Sequence, residues 1–395
     1  MNYRCENSNS ELTDKLQNFL TLTDKDTPYL VIDLDAIRQK YHELVTYMPS
    51  VKCFYSVKSN SSPQILQALL EQGSNFEAAS IGEIELCIKV GVAPANIHFG
   101  NTVKTIQSIQ KSYDYGIRSF AFDCKEELDK IVLHAPESNV ICRIETTGEG
   151  ATWGLCRKFG CTINNATALL LRAKTLNMGN LGVSFHVGSQ QKQPLAWKRA
   201  LLDTQKIITS LKALDLEVDV INIGGGFPAS GYLGEDNTPA IYDFKHYGGE
   251  ITSYIQEIFG DDHHYNFMCE PGRFLLAQAG CIKTQIILAT DKNIGNELQR
   301  WLYLDIGKFN GLYEGTDIKH PISYAGSSQS KLITTTLAGP SCDSDDMLSY
   351  GSDLHLLPSE IIAGEYLTFK STGAYSSSYV TSGFNGIPPL NEYYI

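Results

Sequence analysis

Lys58 has the setting of a reactive amine. It follows the run VKCFYSV (51–57), whose apolar and β-favouring residues predict a buried strand. An amine at the mouth of such a strand is partly desolvated, which favours its neutral, nucleophilic form. Such a lysine can form a Schiff base with an aldehyde cofactor, whereas a lysine that merely ends a strand would be solvated. The rest of the chain decides between these two hypotheses.

Other polar and glycine residues lie in or just after predicted strands that are far apart in the sequence. They are Glu77 in the second strand, Arg143 in the fifth, His186 and Ser189 at the end of the sixth, Gly224, Gly225 and Gly226 at the end of the seventh, and Glu270 and Arg273 at the end of the eighth. The carboxyl ends of the strands of a parallel barrel meet at one rim, where the active sites of such barrels lie. We therefore expect these residues to converge with Lys58.

A purely structural interpretation also exists for the glycine triplet, Arg273 and His186. The glycine triplet 224–226 could bring bare backbone amides close to a phosphate, or it could form an ordinary turn. Arg273 could pair with the same phosphate through two hydrogen bonds, or lie at the surface. Glu270 follows the apolar residues FMC, and a buried carboxylate needs a partner, for which a pyridinium N–H would serve. His186 could stack on a cofactor ring or be a satisfied core histidine.

The elements that carry these residues alternate between strand and helix. The predicted strands are 51–58, 74–80, 96–101, 119–124, 139–146, 181–188, 218–224 and 265–270. This alternation indicates a parallel sheet with crossover connections, and eight such units in this length favour a closed (β/α)₈ TIM barrel over an open sheet. The fold class is therefore α/β.

Helical periodicity nearly vanishes after residue 274, where short strands such as 281–288, 301–306, 330–338, 365–369 and 377–381 are separated by Gly, Ser, Asp and Asn. These strands predict a second, mostly β domain that also takes in the strand near residue 30. We expect the barrel to occupy 35–273 and the β domain to comprise 1–34 and 274–395.

The composition argues against a nucleic-acid-binding protein. The 395 residues include 32 basic and 44 acidic side chains, which give a formal net charge of −12 and suit a cationic substrate. The first 27 residues lack the pattern of a signal peptide, and no apolar run approaches the roughly 18 residues of a membrane helix. We therefore expect a soluble, cytoplasmic protein that binds neither nucleic acid nor a membrane.

The cysteine pattern indicates a reducing compartment and predicts no metal site. Ten cysteines are scattered without a dense framework. Cys156 and Cys161 form a close pair that lacks further ligands nearby, which argues against a zinc site. The dipeptide His263-His264 is interpreted as part of a surface loop.

Six motifs give the chain a resemblance to a known family. They are YSVKSN (55–60), FHVGSQ (185–190), GGGFP (224–228), EPGRF (270–274), GPSCDS (339–344) and STGAY (371–375). The chain resembles the pyridoxal-phosphate (PLP) decarboxylases with an alanine-racemase-like barrel, which act on ornithine, lysine, arginine or diaminopimelate. It is most similar to the short bacterial ornithine decarboxylases, through CRKFGC (156–161), FHVGSQQ (185–191), DIGKFNGL (305–312), GPSCDSDD (339–346) and FNGIPPL (384–390).

The resemblance implies a role in PLP binding for each residue of the predicted rim. Lys58 would hold PLP covalently, His186 would stack on the ring, and Glu270 would keep the pyridine nitrogen protonated so that the ring acts as an electron sink. The phosphate would be held by Ser189, Gly224, Gly225, Gly226, Arg273 and Tyr375. Arg143 would lie near the cofactor and tune the carboxylate of Glu77 or Glu270.

The resemblance also implies a homodimer with shared active sites. In the family, the residues that correspond to Cys342 and Asp343 reach the neighbouring subunit's site, in a head-to-tail arrangement with two-fold symmetry. Cys342 would reprotonate the α-carbon; without its flanking motif it would be interpreted as a buried structural thiol. Asp343 would pair with the distal ammonium of the substrate, and Glu314 is a second candidate for that partner.

The implied reaction is decarboxylation of L-ornithine to putrescine, a step of polyamine biosynthesis. L-lysine or another diamino acid is the alternative substrate, because Glu77 replaces the family's usual aspartate and Tyr313 and Gly315 flank Glu314 in an unusual way. A third hypothesis is an inactive regulatory paralogue. Loss of the cofactor lysine or of the Cys-Asp pair would mark such a protein, but Lys58, Cys342 and Asp343 are all present.

Overall fold

The computed structural model describes residues 12–154, 158–234, 237–261, 264–295, 297–326, 331–349 and 354–395. The sequence predictions that concern Cys156, His263, Ser330 and residues 1–11 fall outside these ranges. Two compact units divide the chain: Arg38–Pro228 with Tyr242–Phe274 form the barrel unit, and the described residues up to Ile37, with Ala229–Ile241 and Leu275–Ile395, form the β unit.

The described residues form eighteen strands. They are β1 Tyr29–Ile32, β2 Val51–Ser56, β3 Asn75–Ala78, β4 Ile97–Phe99, β5 Ser119–Phe122, β6 Asn139–Arg143, β7 Ala151–Trp153, β8 Leu181–Ser184, β9 Ser189–Gln191, β10 Val220–Asn222, β11 Asn266–Cys269, β12 Gly280–Ile294, β13 Glu297–Leu304, β14 Ile322–Tyr324, β15 Leu332–Ala338, β16 His355–Pro358, β17 Tyr366–Lys370 and β18 Asn391–Tyr394.

Ten α-helices connect or flank these strands in the described part of the chain. They are α1 Asp14–Leu22, α2 Leu34–Tyr47, α3 Pro63–Glu71, α4 Ile81–Lys89, α5 Ile106–Asp114, α6 Lys125–His134, α7 Ile163–Thr175, α8 Leu195–Lys212, α9 Phe244–Phe259 and α10 Arg273–Leu276.

Eight parallel strands close the barrel, in the order β10-β11-β2-β3-β4-β5-β6-β8. The pairing of Phe267 with Val51 joins β11 to β2 and thereby completes the ring. All eight coincide with predicted strands, although each is shorter than its predicted range because several predicted residues belong to the loops at the rim. The predicted α/β fold, a TIM barrel with a mostly β second domain, is confirmed.

Local sequence signals explain where the barrel helices begin. Pro63 lies in the first turn of α3, where its missing N–H removes no intrahelical bond. Ser80 caps α4 by accepting a hydrogen bond from the Glu83 N–H (3.2 Å), while the Glu83 carboxylate accepts one from the Ala79 N–H (2.6 Å). These caps fix the point at which the chain leaves the carboxyl rim and turns back along the barrel.

The β unit is built on a sheet in which β14, β17, β12, β13, β15 and β16 are neighbours in that order. Strand β1 pairs antiparallel with β12 and parallel with β18, so the strand near residue 30 joins this sheet as predicted. Leu16 of α1 packs on Tyr29 and Val31, which attaches the helix after residue 13 to the sheet.

One predicted strand of this unit is wrong. Residues 377–381 do not form a strand; Ser377–Tyr379 is a short 3₁₀ turn. The preceding segment explains the difference, because Ser371 and Tyr375 have positive φ angles of 57° and 56° that bend the backbone away from an extended course.

Among the described residues, no helix has both the length and the apolar character needed to cross a bilayer.

Candidate active site

The turn that carries Lys58 is held rigidly by its neighbours. Val57–Ser59 is a 3₁₀ turn directly after β2, in which Lys58 is exposed while Val57 and Ser59 are buried. The Tyr55 hydroxyl donates to the Asn60 carbonyl (2.7 Å), and the Ser59 hydroxyl donates to the Ser56 carbonyl (2.8 Å). The amine is therefore presented from a fixed backbone at the carboxyl end of a barrel strand.

Glu77 is a buried carboxyl group close to the Lys58 amine. It lies on β3 with 3% of its surface exposed, and it accepts a hydrogen bond of 2.6 Å from the Ser56 hydroxyl. Burial raises the pKa of Glu77, the positive charge of Lys58 opposes this shift, and the negative charge of Glu270 adds to it. Lys58, Glu77 and Glu270 therefore lie within one electrostatic cluster at the rim.

Asn222 links Glu270 to the glycine loop. Its side-chain amide donates to Glu270 Oε1 (2.6 Å), and its Oδ1 accepts from the Gly224 N–H (2.9 Å). The Glu270 N–H in turn donates to the Gly224 carbonyl (2.8 Å). The sequence predictions did not include Asn222, although a buried polar residue within the apolar run VINI was the signal that could have revealed it.

His186 is held as a neutral ring. Burial lowers the pKa of His186, the positive charges of Arg143 and Lys58 lower it further, and a hydrogen bond to the Gly225 backbone opposes them; together they bring this pKa to about 3. Burial likewise lowers the pKa of Arg143, against the attraction of Glu270. A flat, uncharged imidazole beside the Lys58 amine suits stacking on an aromatic ring better than proton transfer at neutral pH.

The glycine loop 224–226 forms a cradle that side chains would fill. Gly224 and Gly226 have φ angles of 67° and 97°, which favour glycine. A Cβ at these positions would overlap the carbonyl oxygens of Phe185 and Gly188. Among the described residues, no acceptor is found for the Gly225 and Gly226 amides, so two N–H groups are available for an anion.

Arg273 and Ser189 meet at Trp153, on the same unit as the cradle. Arg273 is 5% exposed and its guanidinium lies 4.8 Å from the centre of the Trp153 ring. Ser189 pairs with Trp153 in the short antiparallel ribbon of β7 and β9. A buried cation and bare amides are the donors that a phosphate ester requires, so these residues fit the phosphorylated end of PLP.

The remaining predicted site residues lie in the β unit. Cys342 and Asp343 are exposed on a loop, where the Cys342 N–H donates to Asn385 Oδ1 (2.9 Å). Glu314 is half-buried in the 3₁₀ turn Tyr313–Thr316. Tyr375 is half-buried with its ring 5.5 Å from that of Tyr379. The interpretation of Cys342 as a buried thiol is wrong, because its side chain is exposed.

Asp346 organises the loop that carries Cys342. It is 3% exposed, and its two carboxylate oxygens accept from the Lys308 N–H (2.7 Å) and the Ser341 N–H (2.9 Å). Its carbonyl also accepts from the Gly339 N–H (2.8 Å). The sequence predictions missed this residue, because nothing in the acidic run DSDD distinguishes the buried carboxylate from its exposed neighbours.

Comparison with known proteins decides the family. Residues 34–277 match the family described as pyridoxal-dependent decarboxylase, pyridoxal binding domain. The chain belongs to the pyridoxal-dependent decarboxylases. It is 31% identical to the lysine/ornithine decarboxylase of Selenomonas ruminantium, over 91% of this chain and 87% of the relative. It is 30% identical to the ornithine decarboxylase of Mus pahari, over 97% of this chain and 84% of the relative.

A solved structure agrees in fold as well as in sequence. The complex of SrLDC with PLP and cadaverine has a TM-score of 0.85 and 28% identity, over 97% of this chain and 93% of that one. The predictions that the chain is a PLP-dependent amino-acid decarboxylase and that PLP is its cofactor are confirmed.

Proposed function

We propose that this decarboxylase converts L-ornithine to putrescine, with L-lysine as the second candidate substrate. The observation that carries the proposal is the cluster at the barrel rim, where Lys58, Glu77, His186 and Glu270 interact beside a glycine cradle. The relatives named above act on ornithine and lysine, according to their names, which supports a diamino monocarboxylic acid as the substrate.

PLP supplies the electron sink for the loss of carbon dioxide. The Lys58 amine would hold it covalently, and Glu270, oriented by Asn222, would accept a hydrogen bond from the pyridine nitrogen. The neutral His186 ring would stack on the cofactor. The positive charge of Arg143 would tune the carboxylate of Glu77 or Glu270. The phosphate would be held by Ser189, Gly224, Gly225, Gly226, Arg273 and Tyr375.

Residues of the β unit would act on the substrate. Decarboxylation takes up one proton at the α-carbon for each carbon dioxide released, and we propose the Cys342 thiol as its donor. Asp343 would pair with the distal ammonium, and Glu314 is a second carboxylate for that role. Both Cys342 and Asp343 are exposed, which supports their proposed contribution to the partner subunit's site in a two-fold homodimer.

Carbon dioxide release from ornithine, lysine, arginine and diaminopimelate tests the proposed substrate. We expect ornithine to give the highest kcat/KM and putrescine to be its product. A higher kcat/KM for lysine would establish the second candidate. Release from none of the four by protein that has bound PLP would contradict both and favour an inactive regulatory paralogue. A cytoplasmic location remains a prediction from the sequence.

A further inference from the structure

Gly100 borders the carboxyl group of Glu77. It follows β4 directly, and its N–H donates to the Ala78 carbonyl (3.0 Å). A Cβ at position 100 would lie 2.7 Å from Glu77 Cγ and 2.9 Å from Cδ, and closer still to Oε1. The φ angle of Gly100 lies outside the left-handed region, so the glycine is required for space and not for backbone conformation.

The Glu77 side chain has little freedom to avoid such a Cβ. Its Oε2 accepts the hydrogen bond from Ser56, which is its register partner on β2. His98, its register partner on β4, is 1% exposed and bonded through Nδ1 to the Ser119 hydroxyl (2.8 Å). Ser56 and His98 therefore flank the carboxyl group, and the absence of a side chain at Gly100 leaves the space that the carboxyl group occupies.

We propose that Gly100 is a positioning residue of the active site, whose missing side chain admits a glutamate at position 77 and keeps its carboxyl group beside the Lys58 amine. The inference rests on the proposed role of Lys58 as the PLP anchor. An aspartate, one methylene shorter, would withdraw from position 100. Position 100 should therefore tolerate alanine when residue 77 is aspartate and not when it is glutamate.

A cycle of four proteins tests this pairing: the wild type, Gly100→Ala, Glu77→Asp and the double variant. In the apo proteins, we expect Gly100→Ala to lower the unfolding temperature by about 3–10 °C, because the added methyl group overlaps the buried side chain of Glu77. The double variant should recover most of this loss. Gly82→Ala is the matched control, because Gly82 is exposed on α4 and its Cβ would meet only Ser80 Oγ at 3.8 Å.

Binding of PLP supplies the readout that a purely structural role would not change. We expect Gly100→Ala to raise the dissociation constant for PLP about tenfold or more. It should also shift the pH midpoint of the visible absorption band of the loaded protein, because the Glu77 carboxyl group moves away from Lys58. The double variant should restore both quantities toward the wild-type values.

Three results would overturn the inference. Gly100→Ala could match Gly82→Ala in every measurement, or the double variant could fail to recover. A third is a lowered unfolding temperature with unchanged PLP affinity and pH midpoint, which would make Gly100 a packing residue only. Failure of the wild type to bind PLP would instead contradict the proposed function. The unfolding temperatures of the four apo proteins would still test whether the side chains at positions 77 and 100 compete for the same space.

Discussion

Replacement of Asn222 should damage both the fold and cofactor binding, because one side chain serves two buried partners. In Asn222→Leu, Glu270 loses the 2.6 Å bond to its carboxylate and the Gly224 N–H loses its acceptor at 2.9 Å. A hydrogen bond to a charged group contributes about 1.5–3 kcal/mol, and an unsatisfied buried N–H costs about 1–3 kcal/mol. Because such terms are not fully additive, we expect the free energy of unfolding to fall by about 2–5 kcal/mol.

Chemical denaturation of the apo protein measures this loss, and an absorbance titration with PLP measures the change in affinity. We expect weaker PLP binding, because Glu270 is no longer oriented and the cradle beside Gly224 is loosened. Asn75→Leu is the matched control: Asn75 donates to the Cys53 carbonyl (3.3 Å) from the first residue of β3. It should lose no more than about 1.5 kcal/mol and bind PLP normally.

Asn222→Asp separates the two contacts of this residue. The aspartate can still accept from the Gly224 N–H, but it places a second carboxylate beside Glu270, and two such groups share one proton. The folded state then holds a proton that the unfolded chain has lost above about pH 4, so stability should fall as the pH rises.

Equal stability and PLP affinity of Asn222→Leu and Asn75→Leu would refute the assigned role of Asn222.

Three further predictions concern other contacts. Asp346→Ala should reduce the free energy of unfolding by about 2–4 kcal/mol, because it leaves two N–H groups without their acceptor. Asp345→Ala, which removes a carboxylate that is 71% exposed, should change it by less than about 1 kcal/mol. His98→Gln should make stability less sensitive to acid, as measured by denaturation between pH 7 and pH 5. Mixed Lys58→Ala and Cys342→Ala chains should recover about a quarter of the wild-type activity if the sites are shared in a dimer.

The sign of the His98 prediction follows from its surroundings. Burial lowers the pKa of His98, the negative charge of Glu77 opposes this shift, and the positive charge of Lys104 adds to it; together they bring this pKa to about 4. Between pH 6.5 and pH 4 the unfolded chain binds the proton that the folded protein excludes, so acid destabilises the fold. From pH 7 to pH 5 this amounts to about 2 kcal/mol, which the variant should not show. Glu77 and Glu83, whose pKa values are raised by burial, act in the opposite direction in both proteins.

Each of the three has a result that would contradict it. Equal losses in Asp346→Ala and Asp345→Ala would remove Asp346 as the organiser of the Cys342 loop. Parallel pH profiles of the wild type and His98→Gln would show that His98 does not contribute to the acid sensitivity. No recovery of activity despite confirmed subunit exchange would contradict a shared site.

The barrel was predictable because its signals are local. Apolar runs rich in β-branched and aromatic residues alternate with helices that have recognisable starts, such as Pro63 and the Ser80 cap. Once the strands were assigned, the convergence of Lys58, His186 and Glu270 followed from topology, because the carboxyl ends of parallel strands meet at one rim.

The contacts that hold the site were not predictable, because they depend on register and on depth in the fold. Ser56 meets Glu77 only because β2 and β3 pair in one particular register. Asn222 and Gly100 act through neighbours that are distant in sequence. Asp346 is buried while Asp345 is exposed, a difference that two adjacent aspartates do not reveal in a sequence.

The covalent attachment of PLP at Lys58 is the central claim, and peptide mapping tests it most directly. Borohydride reduction of the PLP-loaded protein fixes the cofactor to the amine that holds it, and mass spectrometry after proteolysis locates the modified residue. We predict the phosphopyridoxyl group on Lys58 alone. Its attachment to Lys52, an exposed lysine on the preceding strand β2, or to no lysine at all would contradict the account.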